Sequence, residues 1–161
     1  MLGRDHAETL VLRRKLADQT QRAGLPRAAM EISRQIVETD VAAYGPRDLI
    51  TLQDRLMLGQ HAWVGGDWPA AVAIYEALID DCGWTLGRED RVTLQVRFRH
   101  ATAIGLMGDT IRARNLLHDV KSDQSQILGK DHRDTRETLT KIAYFVHSMP
   151  GPAFRPPMPP L

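Results

Sequence analysis

Apolar residues recur along this chain at helical intervals, in blocks that repeat. Ala29, Ile32, Ser33 and Ile36 fall at i, i+3, i+4 and i+7, one face of an α-helix. The same spacing returns as Ala71, Ile74, Tyr75 and Leu78, and again as Ala113, Leu116, Leu117 and Val120. A different stripe precedes each block: Leu10, Leu16, Ala17 and Thr20, then Leu52, Leu58, Gly59 and Ala62. The pattern predicts first helices at 6–22, 48–64 and 90–106, second helices at 26–42, 68–83 and 110–126, and a last helix at 132–148.

Glycines set the period. Gly3, Gly45, Gly87 and Gly129 stand 42 residues apart, and Gly24, Gly66 and Gly108 form a second column in the same register. Thr9-Leu10 recurs as Thr51-Leu52 and Thr93-Leu94; Ala29, Ala71 and Ala113 make a column of alanines. Each unit is therefore a helical hairpin, with one glycine at its turn and another after its second helix, where a left-handed residue is favoured. Asp67 and Asp109 follow the hairpin glycines and are placed to cap the second helices. Pro26, Pro46 and Pro69 sit where helices should begin. The small residues Ala17, Gly59, Ala101 and Ala143 allow paired helices to approach closely. The matching segments LGRDHAETL and LGKDHRDTRETL are thus joints between units.

The reading is an all-α domain over 2–148, with repeats at 2–43, 44–85 and 86–127, a capping helix at 128–148, and a tail at 149–161. Six of the nine prolines lie in the last twelve residues, which suits an extended polyproline segment. Three repeats are about the minimum for a stable stack, and a terminal solvating helix is the usual closure.

Charge narrows the function classes. A net charge of +1, with no long run of like charges, gives no nucleic-acid stripe and no membrane-seeking patch. No apolar run approaches a membrane span, the N-terminus lacks a signal-peptide core, and the single Cys82 excludes an internal disulfide framework. The cytoplasm is the expected location.

Catalytic fragments fail on inspection. His132-Arg133-Asp134 spells the kinase catalytic-loop triplet, but that motif needs asparagine at 139, where this chain has leucine. The six histidines form no HExxH motif and no i,i+4 metal pair, so neither a metal nor a cofactor is expected. His100 reads as a hydrogen-bonded, half-core histidine, and Cys82 as a quiet thiol. Arg13, Arg55 and Arg97 form a column, read as stems packed between helices with each guanidinium paired to a nearby acid.

The Leu58-Gly59 pair, its variants Leu16-Ala17 and Ile142-Ala143, the hairpin glycine and the alanine of the second helix resemble the tetratricopeptide repeats (TPR). The 42-residue period and the joint sequence are similar to the kinesin-light-chain type. His100 departs from that pattern by standing in a leucine slot. The resemblance implies a right-handed superhelix whose first helices line a concave groove, working as a non-catalytic protein-interaction module. Similar arrays follow kinase or nucleotide-binding domains in actinobacterial proteins, and seventeen arginines against four lysines suit a GC-rich bacterial source. The alternative is therefore a regulatory TPR domain of a Ser/Thr kinase or another multidomain signalling protein; a chain that begins at a joint suits it.

Carried over by register, the groove columns are Val11, Arg14, Asp18, Gln21 and Arg22 in repeat one. They continue as Gln53, Leu56, Gln60, Trp63 and Val64, then Gln95, Phe98, Thr102, Gly105 and Leu106. The partner-binding set is Arg14, Asp18, Leu56, Gln60, Trp63, Val64, Phe98, Thr102 and Leu106. The family's carboxylate clamp needs an asparagine column, which here reads Asp18, Gln60 and Thr102, so chaperone tails are not the expected ligand. The expectation is a partner peptide or helix on an apolar middle flanked by charge. The tail, with Phe154, Met158 and Leu161, is a candidate for groove docking or self-association.

Overall fold

The computed structural model describes the backbone of residues 4–147 and the side chains of residues 8–147. These residues form seven helices: α1 (Arg4–Arg22), α2 (Pro26–Tyr44), α3 (Leu49–Val64), α4 (Trp68–Thr85), α5 (Arg91–Leu106), α6 (Thr110–Ile127) and α7 (Arg133–His147). Each packs on the next in sequence, so α1/α2, α3/α4 and α5/α6 form three hairpins and α7 closes on α6, touching α5. Among the described residues there is no strand, and no helix is long and apolar enough to cross a membrane. The proline-rich tail, and with it Phe154, Met158 and Leu161, lies outside the described residues.

The joints explain the helix ends. Gly24, Gly66 and Gly108 adopt φ of 80°, 77° and 104° at the hairpin turns, a conformation that strains other residues. Asp67 and Asp109 then cap α4 and α6, accepting from the backbone N–H groups of Ala70 at 3.2 Å and Arg112 at 3.0 Å. The corresponding position in the first hairpin is Leu25, and α2 starts without a side-chain cap. α3 and α5 are capped three residues after the other glycine column. Asp48 accepts from Ile50 N–H at 2.9 Å and Asp90 from Val92 N–H at 2.7 Å. At the third joint that place belongs to His132, whose ring Nδ1 accepts from Asp134 N–H at 3.2 Å. The histidine of the kinase-like triplet is a cap. Pro46 differs from Pro26 and Pro69: it sits within the α2–α3 joint, and its carbonyl accepts from Arg55 at 3.0 Å.

The core runs across repeat boundaries. Leu52 and Ala62 of α3, Ala71, Tyr75, Leu78 and Cys82 of α4, and Val96 and Ala103 of α5 form one buried cluster. Ala101, Ile104, Ala113, Leu117, Ile142 and Phe145 form the next. Full burial of such side chains contributes about 1.5–3 kcal/mol each, so neighbouring hairpins stabilise one another. Leu16 is the exception to the expected stripe. Its counterpart Leu58 is 8% exposed between α2 and α4, but α1 has a described helix on one side only and Leu16 is 51% exposed.

The arginine column pairs as expected in two hairpins. Arg55 reaches Asp81 and Arg97 reaches Asp123, both at 2.6 Å and both 26 residues on. Burial pushes Asp81 up, but Arg55 and Arg47 outweigh it and hold its carboxyl below the usual value. In the first hairpin Arg13 has no acid at that spacing, because position 39 is threonine, and the pair shifts by one residue to Arg14 and Asp40.

Candidate functional site

A cleft of about 490 Å³ opens between α5 and α7, lined also by Trp63 of α3 and Gln124 of α6. It exists because α7 continues the series of first helices beside α5. The cleft brings together three residues of the expected partner-binding set, Trp63, Phe98 and Thr102. Trp63 and Phe98 are half-buried, and each packs against a core cluster while also lining the cleft. Thr102 is buried, and its hydroxyl donates to the Phe98 carbonyl one turn back in the same helix at 2.9 Å.

The cleft is ringed by charge. Arg91, Arg99, Arg133 and Lys141 stand against Asp134 and Glu137, and Arg91 is tied to Asp134 at 3.1 Å. Behind Arg99 lies the buried Tyr75, whose hydroxyl is pushed up to about 12 by burial, with Arg99 pulling the other way. Such a mouth can hold an apolar side chain against Trp63 and Phe98 while the rim contacts polar backbone and side chains. Groups of three or more histidine, cysteine, aspartate or glutamate side chains able to hold a metal do not occur among the described residues.

The other expected residues lie elsewhere. Leu56 is half-buried against the middle core, Gln60 and Leu106 are half-buried, and Val64 is exposed. Asp18 pairs with Arg22 at 3.0 Å on the α1 surface. Gly105 turns toward α7, where the absence of a Cβ admits the ring of Phe145. Arg14 is engaged at the seam between the first two hairpins. Its Nε donates to Asp54 at 2.9 Å, and its Nη2 reaches Asp54 at 2.6 Å and Asp40 at 2.9 Å. The Asp40 side chain is fully buried. Burial, then the adjacent Asp54 carboxylate, push it up to about 6 against the pull of Arg14.

Two histidines support the scaffold. His61 is buried at the same seam, with its Nδ1 2.7 Å from the Ser33 hydroxyl, and burial holds it below the usual histidine value. His100 is buried too, but its Nε2 has no hydrogen-bond partner among the described residues, contrary to the expected hydrogen-bonded role. Burial lowers its pKa, which favours the neutral ring. The thiol of Cys82 is fully buried and pushed up by burial, in line with the quiet role expected of it.

The α7 side of the cleft is absent from the register-based set. Its signal is the period itself: one more step of 42 residues takes Gln95 to Glu137 and Arg99 to Lys141.

No family model and no curated protein sequence matches the chain. Solved structures do. The crystal structure of a protein described as a kinesin light chain of Podosopora anserina, with nearly identical TPR-like repeats, superposes with a TM-score of 0.76 at 22% identity over 85% of this chain. A second crystal structure, of a single-substitution variant of that protein, gives a TM-score of 0.77 at 22% identity over 87% of this chain. The chain spans 65% and 66% of those two structures. At that identity the likeness concerns the fold alone: the described residues form a seven-helix repeat array with the architecture of those TPR-like repeats.

Proposed function

We propose that this chain is a non-catalytic protein-interaction module that holds a peptide or helix of a partner in the cleft between α5 and α7. The observation that carries the reading is the convergence of Trp63, Phe98 and Thr102 on one cleft of about 490 Å³ rimmed by charge. Apolar anchors at the centre of a polar ring are how interfaces concentrate binding energy. A stack of hairpins suits the task because the wall is rigid before the partner arrives. The cytoplasm is the compartment that fits a single buried cysteine.

The test is selection of peptides from a random library on the full chain, followed by titration against variants. Trp63→Ala should weaken the selected peptides by about 2 kcal/mol or more. Lys141→Glu, at the rim, should change the charge preference of the selected set. Undiminished binding by a folded Trp63→Ala chain, together with an unaltered preference in Lys141→Glu, would overturn the reading.

A further inference from the structure

The three hairpins are not joined alike. The two core clusters take their buried members from α3 to α7, and among the described residues the first hairpin adds to them only the half-buried Met30. Where the first hairpin meets α3, the seam has a polar centre instead. Arg14 of α1 bridges Asp40 of α2 and Asp54 of α3, and the Ser33 hydroxyl of α2 lies 2.7 Å from Nδ1 of His61 on α3. A small cavity of about 60 Å³ opens in this seam, lined by Arg14 and Ser33 together with Asp54, Met57 and His61. Asp40 Oδ1 and His61 Nε2 are buried there without a hydrogen-bond partner among the described residues.

The charges in the seam do not balance. One guanidinium serves two carboxylates whose side chains are 0% and 8% exposed. The charged groups that face Asp40 are Arg14 from α1 and Asp54 from α3, while His61 faces the Asp18 carboxylate of α1. With both acids ionised the seam holds a net negative charge away from water, and a single proton on Asp40 removes it. We propose that the first hairpin is a proton-operated latch: α1 and α2 open from α3 as a unit while α3–α7 stay folded, and the proton held beside Asp54 sets how tightly they close. One hairpin cannot bury its apolar face alone, so the open latch is unfolded. Opening bares His61 and Leu58 of α3, both buried when it is closed. The cleft stays whole, because its described lining comes from α3 and the elements after it. Asp40 is pushed up to about 6 from 3.8, so its proton favours closure fully below 3.8, and that contribution is lost as pH rises through about 6. His61, held down by burial, opposes closure as pH falls.

The test is native-state hydrogen exchange on the full chain and on Asp40→Asn at pH 5 and 7.5, with rates corrected for the intrinsic pH dependence of exchange. In α1 and α2 the ratio of parent to variant opening should rise about tenfold from pH 5 to pH 7.5, and in α5–α7 it should stay nearly constant. The ratio cancels His61, which both chains share. Asp54→Asn also balances the seam and should give the same rise with pH, so a folding defect in one variant does not decide the matter. A ratio that is flat with pH for both variants overturns proton control. A ratio that rises equally in α1, α2 and α5–α7 overturns the latch, since the seam would then open only in global unfolding.

Discussion

Thr138 of α7 donates a hydrogen bond of 2.7 Å to the side chain of Gln124 on α6, and both residues are buried. One period earlier the same two positions are Cys82 and Val96, in the apolar core; one earlier still they are Asp40 and Asp54, bridged by Arg14. One pair of register positions thus carries three chemistries at three successive junctions: ionic, apolar and neutral hydrogen-bonded. Buried polar pairs are stable only when partnered, so each junction depends on a matched pair.

The ionic junction should respond to pH. Asp40 sits at about 6 in the folded chain against 3.8 for a free carboxyl, so the folded state favours its protonated form. The stability from that proton is fully present below 3.8 and is lost as pH rises through about 6. Asp40→Asn mimics the protonated group and leaves Asp54 to hold Arg14. The variant should be more stable than the parent above pH 7 by about 1 kcal/mol, a figure discounted for solvent screening. Thermal unfolding from pH 5 to 8 should show that advantage shrinking toward acid. His61 works in the opposite direction, its depressed value weakening the fold as pH falls through it, and the substitution leaves that part in place.

Gly59 should tolerate alanine only with a change in its neighbour. A Cβ at Gly59 would collide with the Tyr75 ring, with Cζ only 2.9 Å away. Gly59→Ala should destabilise by about 1–3 kcal/mol despite the better helix propensity of alanine. The third hairpin shows the compatible pair, Ala101 with Leu117, in the same columns. The double variant Gly59→Ala, Tyr75→Leu should recover part of the loss in urea unfolding, and a strictly additive loss would contradict the assigned contact.

Ala71 is fully buried in the middle cluster. Ala71→Arg would overpack the contact and bury a charge, a loss of about 3 kcal/mol or more. Hydrogen exchange should then show faster exchange in α2, α3 and α5 as well as α4. An effect confined to α4 would mean that the hairpins do not share stability.

The uncapped start of α2 is an opportunity. Leu25 is 58% exposed in the position where Asp67 and Asp109 cap α4 and α6. Leu25→Asp should stabilise the chain by about 1 kcal/mol, read as a higher midpoint in urea, because it removes no buried contact and adds a side-chain acceptor.

Much of this is legible in the sequence. All seven helices fall within two residues of the positions set by the 42-residue register, and the glycines, the Asp67 and Asp109 caps and the Arg55 and Arg97 pairings follow from column position. Those features are local or repeat faithfully, so a pattern reveals them. The Arg14 bridge is not legible, because it depends on a one-residue shift of the pair and on Asp54, which belongs to the next hairpin. The α7 wall of the cleft is legible only if the groove columns are carried one period past the third repeat, to Glu137 and Lys141, and reading α7 as a cap stops them short. Within the expected set, Trp63, Phe98 and Thr102 line one cleft, while Asp18 pairs with Arg22 on α1 and Arg14 is engaged with Asp40 of its own hairpin and Asp54 of the next.

The junction positions also mean that the hairpins are keyed. A chain with its second and third hairpins exchanged would keep the period, the glycines and every intrahairpin contact. It would nevertheless place Asp40 against Val96 and Gln124 against Asp54, leaving a buried carboxylate facing valine in one seam and breaking the Thr138 bond in another. Repeats that look equivalent in outline are therefore addressed to particular neighbours, and their order along the chain is written into the side chains between them.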